Sequence, residues 1–430
     1  MQLDNKILVV LLNSLSVGMR MLSALLVNKL LALHLGPAGL AIASNIVGAF
    51  NILGTLAGGF LGQAATKVIA DTRSEQMAQI KIALKKAWLP IAFPVSAIGV
   101  IIIFIFRGEL LPTEIQDSNI TIVLCAFLLS ITLSLNAIFL GIFAGEKLYF
   151  NNILSSSLFS ILQLVLIFFL VPKYDILGVT LAFGTAASFT LVVNLILAKR
   201  SSRVLDGGKI TTDTALVSRY KSDIRKTGLA SLVSLVSLPL VYLAIRAGVI
   251  WILDEEKAGY VQAIWRISDA YMLLFSSLFA LMLLPSLSST KCYRSKVQNL
   301  KRVILTAWAF FSLLAFIVFV SSDKLVILLY SNEFLPASDM VPLQLIGDFF
   351  KVANIAFGFY FISSSMVREY VKIEIFSSVA WVAISLSMLK LLDTKAIVVG
   401  HALVSISVFI VSMFLLKRAI TSARSLEEAI

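Results

Sequence analysis

Residues 227–252 read TGLASLVSLVSLPLVYLAIRAGVIWI. The stretch exceeds the roughly 20 apolar residues that cross a hydrocarbon core about 30 Å thick, and Arg246 is its one ionisable side chain. It is therefore a membrane span. Pro239 sits in its middle and removes a backbone hydrogen bond, so a bend is expected there, either as a hinge or as fixed shape. Arg246 follows seven residues later on the same helix. A charge at mid-membrane costs roughly 2.5–3.5 kcal/mol on insertion scales, and such groups persist where they face a watery cavity or a partner.

The rest of the chain has the same character. Its 430 residues are 59% hydrophobic and 14% charged, with a mean hydropathy of +0.95. A soluble domain carries about 25% charged residues. The chain is read as an all-α integral membrane protein with spans at 7–33, 38–62, 87–106, 120–144, 150–171, 177–198, 227–252, 260–285, 303–321, 341–363, 373–392 and 396–416. The segment from Ile7 is too long for a signal h-region and has no small-residue cleavage site behind it, so it is the first transmembrane helix rather than a leader.

The formal charge of +12 follows topology. Alternate loops hold Lys67, Arg73, Lys81, Lys85 and Lys86, then the basic run from Lys199 to Lys226, then Lys291 to Arg302. The opposite loops are acidic, with Glu109, Glu114, Asp117 and Asp254-Glu255-Glu256. The positive-inside rule places both termini in the cytoplasm. The basic residues are therefore not a nucleic-acid surface.

The longest loop, 199–226, divides the spans into six and six: an N-terminal lobe at 1–198, a basic cytoplasmic linker, and a C-terminal lobe at 227–430. The halves echo each other. Ala87-Trp88 and Ala307-Trp308 open spans three and nine; Ser155-Ser156 and Ser377-Ser378 mark spans five and eleven; Lys199-Arg200 and Lys417-Arg418 close spans six and twelve. An even number of spans per half makes this a parallel repeat about an axis near the membrane normal, with a substrate path where the halves meet.

Seven charged side chains lie within spans beyond the first and last turn: Arg20, Lys29, Arg246, Arg266, Asp269, Asp348 and Lys351. Arg266 and Asp269 are three apart on one helix, as are Asp348 and Lys351, so each pair shares a face and can neutralise itself as a structural ion pair. Arg20, Lys29 and Arg246 have no carboxylate within a turn of their own helix. Lys29 can snorkel to the outer surface. Arg20 and Lys29 are nine residues apart, on opposite faces of a straight helix, and line one cavity only if span one bends near Gly18. Five bases against two acids describe a cationic cavity suited to an anionic, membrane-borne cargo.

No enzymatic constellation competes, and no cofactor or metal site is expected. His34 and His401 have no Cys, Asp or Glu at ligand spacing and read as core or interface histidines. Cys125 and Cys292 fall in different environments and form no disulfide framework. There is no Walker A motif. Gly54-x-x-x-Gly58 reads as a close helix-packing motif.

Several stretches together resemble Wzx-type flippases for undecaprenyl-diphosphate-linked oligosaccharides, within the multidrug/oligosaccharidyl-lipid/polysaccharide exporter superfamily. They are Lys29 to Ala32, Leu35-Gly36-Pro37-Ala38-Gly39-Leu40, Leu238-Pro239 through Tyr242 to Arg246, Ile267-Ser268-Asp269-Ala270-Tyr271, Leu284 to Ser288, Ser331-Asn332-Glu333-Phe334, and Gln344-Leu345-Ile346-Gly347-Asp348 with Lys351-Val352. The resemblance implies two six-helix lobes around a central cationic cavity, and movement of O-antigen or enterobacterial common antigen units to the periplasmic leaflet by alternating access. It also implies partners in a polymerase and a chain-length protein of the same pathway. Arg20, Lys29, Arg246, Asp269, Asp348 and Lys351 match the family pattern, whereas Arg266 departs from it. The alternatives are a cation-coupled multidrug exporter of the same architecture, which the basic excess disfavours, and a membrane polysaccharide polymerase or ligase, which the short outer loops disfavour.

Overall fold

The computed structural model describes residues 2–72, 76–105, 119–200, 213–283, 286–287, 293–364 and 366–427. The acidic loop at 109–117, residues 201–212 of the basic loop, Leu284-Pro285 and Cys292 lie outside them, as does the side chain of Cys125. No strand occurs among the described residues. The helices are α1 (Gln2–Gly54), α2 (Leu61–Ala70), α3 (Met77–Ile105), α4 (Asn119–Gly145), α5 (Tyr149–Arg200), α6 (Thr214–Ile252), α7 (Glu255–Leu278), α8 (Tyr293–Val320), α9 (Ser322–Leu329), α10 (Val341–Ser363), α11 (Val367–Leu392) and α12 (Lys395–Glu427). A π turn at Thr55–Gly59 joins α1 to α2, another at Phe279–Leu283 follows α7, and a 3₁₀ helix at Asn332–Met340 leads into α10.

Among the described residues, nine helices are long and apolar enough to cross a membrane. Two of them contain a backbone break. In α1 the break is at Gly36, whose φ of 65° and ψ of −170° suit a residue without Cβ, and Pro37 follows it. In α5 it is Asp175, at φ 46°. Both breaks fall in the short gaps between expected spans. The α7 helix is not one of the nine, because Glu255, Glu256, Lys257, Arg266 and Asp269 dilute its apolar sequence. Its acidic start is a helix N-terminus: the Asp254 carboxylate accepts from the Lys257 amide at 2.7 Å, and Glu255 and Glu256 sit at the positive end of the helix dipole.

The chain forms two compact units. Unit 1 comprises Met1–Leu35 with Ile42–Leu240, and unit 2 comprises Gly36–Ala41 with Val241–Ile430. The boundary within α6 falls one residue past Leu240's neighbour Pro239.

In unit 1, α4 is central and packs against α2, α3 and α5. Gly62 and Gly141 allow α2 and α4 to touch backbone to backbone: a Cβ on Gly141 would stand 2.0 Å from the Gly62 carbonyl oxygen. Phe60, Leu61, Ile80, Phe143 and Ala198 fill the core, joined by Val217 and Ile224 from the start of α6. Neutral side chains tie the helices together. The Trp88 indole donates to Ser134 at 3.1 Å, Asn136 donates to the Ala187 carbonyl at 2.9 Å, and Asn194 donates to Asn136 at 3.0 Å.

In unit 2, α10 and α12 occupy the middle, with α8 and α11 packed on them. The same order of ties recurs. The Trp308 indole donates to the Phe349 carbonyl at 2.8 Å, and Asn354 donates to the Ser405 carbonyl at 2.9 Å. The paired Ala-Trp signals thus perform the same local task in both halves.

Candidate functional site

Unit 2 gathers five of the seven expected site residues, in two adjoining clusters. The first lies between α6 and α7. Tyr242 and Arg246 are one turn apart on α6 and share a face. The Tyr242 ring stacks on Trp265, with centroids 4.3 Å apart and planes 16° from parallel, and its hydroxyl donates to Asp269 Oδ1 at 2.9 Å. Arg246 is 3% exposed and its Nη1 donates to Gln262 Oε1. Arg266 Nη1 lies 4.0 Å from Asp269 Oδ2, so the expected pair on α7 is present but loose, and the Nε of Arg266 is buried with no acceptor.

The second cluster surrounds Asp348 on α10, which is fully buried. Its Oδ2 accepts from Ser268 Oγ at 2.7 Å and from the Tyr271 hydroxyl, both on α7. Gln344 Nε2 lies 3.1 Å from both carboxylate oxygens. His401 Nε2, on α12, reaches Oδ1 at 2.9 Å. An ionised carboxylate only accepts, so Nε2 carries the proton in this arrangement. The ring comes this close because residue 347 is glycine: a Cβ there would stand 2.4 Å from His401 Cδ2. Trp381 on α11 covers the imidazole, with centroids 4.9 Å apart, and also meets Trp265 edge-on. An aromatic chain therefore connects the two clusters.

This geometry corrects the expected Asp348–Lys351 pair. The carboxylate of Asp348 pairs with His401, while Lys351, half-buried one turn along α10, enters no ion pair among the described residues. A carboxylate offers about four acceptor positions, and Ser268, Tyr271, Gln344 and His401 use them. A buried charge must be compensated in this way to persist. It follows that Asp348 has no capacity left for a cationic ligand.

His401 was not recognised from sequence as a partner because its carboxylate lies 53 residues away on another helix. A usable signal was the polar spacing on each helix. Ser268 and Tyr271 are i and i+3, and Gln344 and Asp348 are i and i+4, so each pair aims at one neighbour.

Unit 1 holds Arg20 and Lys29 on α1. The Nε of Arg20 is buried without a hydrogen-bond acceptor, and Lys29 is half-buried. The backbone shows no break at Gly18 that would bring them to one cavity: Gly36 alone leaves helical dihedrals in α1. Arg20 and Lys29 therefore remain on opposite faces. Among the described residues, no group of three His, Cys, Asp or Glu side chains is placed to hold a metal ion.

No known family's sequence model matches the chain. Among curated proteins, the lipid III flippase of Escherichia coli (strain K12) is 26% identical over 361 residues, covering 82% of this chain and 84% of that protein. The lipid III flippase of Shigella flexneri matches equally. Among solved structures, the inward-facing conformation of a multidrug resistance MATE family transporter of the MOP superfamily aligns with a TM-score of 0.74 at 15% identity, covering 94% of this chain and 96% of that one. Lipid II flippase MurJ in its inward closed conformation aligns with a TM-score of 0.66 at 14% identity, covering 96% and 87%. The chain therefore has the fold of multi-pass membrane transporters.

Proposed function

We propose that the protein is a flippase that carries an undecaprenyl-diphosphate-linked oligosaccharide from the cytoplasmic to the periplasmic leaflet of a bacterial inner membrane by alternating access. Similarity to lipid III flippases over 82% of the chain supports a lipid-linked sugar as cargo. The observation that carries the reading is a buried guanidinium Nε donor on Arg266 in unit 2 that meets no acceptor among the described residues; Arg20 in unit 1 independently carries another. An unsatisfied buried donor is costly, and a diphosphate supplies the missing oxygens. In this reading α1 and α5 each cross twice and α7 crosses once, which makes twelve crossings, six per half.

A multidrug exporter for organic cations is the weaker reading, although the first structural neighbour has that activity in its name. Such a site needs an available acid, and the fully buried Asp348 is already saturated by protein donors.

The test is complementation of a strain lacking its own flippase, with protein abundance measured alongside surface glycan. Arg20→Ala and Arg266→Ala should each lower glycan display at wild-type abundance, by about tenfold or more for a lost charged hydrogen bond. Lysine at either position should rescue only in part, because an ammonium cannot reproduce the planar fork. Full display by both alanine variants would defeat the reading.

A further inference from the structure

Unit 1 contains a cavity of about 400 Å³ among α1, the π turn at Thr55–Gly59, α2, α4 and α6. This lies within the usual range of ligand pockets, about 300–1,000 Å³. None of its lining residues is charged, which separates it chemically from the guanidinium groups assigned above to the diphosphate.

Its polar groups are Asn51, Thr55, Gln63 and Thr66. Thr55 donates to the Asn51 carbonyl at 2.8 Å; Thr66 donates to the Gly62 and Gly141 carbonyls at 3.1 and 3.0 Å. Their hydroxyl protons are thus committed while their lone pairs can still accept. The side-chain amides of Asn51 and Gln63 are exposed and make no hydrogen bond among the described residues, so each offers both a donor and an acceptor. Leu133, Leu140 and Leu235 supply an apolar wall. The π turn, a distortion frequent at functional sites, carries Thr55 and lies in the chain between Asn51 on α1 and Gln63 and Thr66 on α2, all of which line the cavity.

Neutral amides and hydroxyls beside an apolar wall match a sugar ring, whose hydroxyls both donate and accept and whose C–H face is apolar. They match neither a phosphate nor an organic cation. We propose that this cavity is a sugar subsite that takes a pyranose of the cargo's glycan. The proposal rests on the flippase reading and adds to it the part of the cargo that unit 1 recognises. On the topology read from the loops, Gln63 and Thr66 lie in the cytoplasmic half of the membrane, where cargo is loaded.

The experiment uses the full-length protein in a detergent without a sugar headgroup, since a maltoside would compete. The probes are undecaprenyl diphosphate and the same lipid carrying N-acetylglucosamine. Wild-type protein should bind the glycosylated lipid about tenfold more tightly, as expected from two or so added hydrogen bonds. Asn51→Leu with Gln63→Leu should erase that preference while leaving affinity for bare undecaprenyl diphosphate unchanged. Both residues are exposed amides without protein partners, so the variant should keep its melting temperature. A retained preference in the variant, or no preference in wild type that still binds the bare lipid, overturns the sugar subsite alone. Binding of neither lipid overturns the flippase reading and the subsite with it.

Discussion

The two units tie their helices together with the same devices but bury different chemistry. In each, an indole within one helix reaches a neighbouring helix and an asparagine on that neighbour clamps a third, through Trp88 and Asn136 in unit 1 and Trp308 and Asn354 in unit 2. Beyond that, unit 1 relies on backbone contact at Gly62 and Gly141 and on neutral pairs such as Ser130 with Ser96 at 2.8 Å and Ser16 with Ser157 at 3.0 Å. An ion pair, Lys81 with the buried carboxylate of Glu146 at 3.5 Å, joins α3 to the residue just past the end of α4. Unit 2 buries a carboxylate, an imidazole and a guanidinium within its helices, at Asp348, His401 and Arg246. Neutral pairs tolerate the loss of one partner far better than charged ones. Unit 2 should therefore be the half more sensitive to polar substitution, and unit 1 the half more sensitive to added bulk.

The strongest test of that contrast is Asp348→Leu. It leaves Ser268, Tyr271, Gln344 and His401 without their common acceptor, and each buried donor left unsatisfied costs about 1–3 kcal/mol. Thermal melting of the purified protein should show a large loss, and a double-mutant cycle with His401→Leu should show strong coupling. The exchange Asp348→Lys with Lys351→Asp should fail to recover stability, because the new lysine would face His401 and three other donors. Recovery by that exchange would restore the helix-internal pair as the correct description.

An intermediate effect is expected in unit 1. Asn136→Leu removes the acceptor for Asn194 and the donor for the Ala187 carbonyl, at about 1–3 kcal/mol. Gly141→Ala should cost a similar amount, about 1–3 kcal/mol, by driving a methyl into the Gly62 carbonyl. Melting temperatures of both variants measure this. A loss from Asn136→Leu that matched or exceeded that of Asp348→Leu would erase the difference between the units.

The smallest effect belongs to the pair of Lys257 and Asp393, 2.6 Å apart at the surface of unit 2. Lys257→Met should change stability by less than about 1 kcal/mol, and by less still in high salt. The hydrogen bond to Asp393 raises the Lys257 pKa above its ordinary value. Its contribution is therefore fully present at neutral pH and is lost only as pH rises through that raised value. A melting-temperature difference between wild type and variant that is present at neutral pH and disappears in strongly alkaline buffer checks the sign.

The sequence by itself settled what hydrophobicity and local spacing can settle. Long apolar runs dictated membrane helices, Gly36-Pro37 a chain break, and Arg266 with Asp269 a shared face. Each depends on residues within a few turns of one another, where helix geometry fixes who is near whom. Tertiary structure alone decided which distant groups meet. It gave Asp348 to His401 across 53 residues rather than to Lys351 three residues along, and it kept α1 helical at Gly18, leaving Arg20 and Lys29 on opposite faces. The reason is physical: a buried carboxylate is held by whatever donors the neighbouring helices bring within about 3 Å, and helix packing, not spacing along the chain, chooses those neighbours.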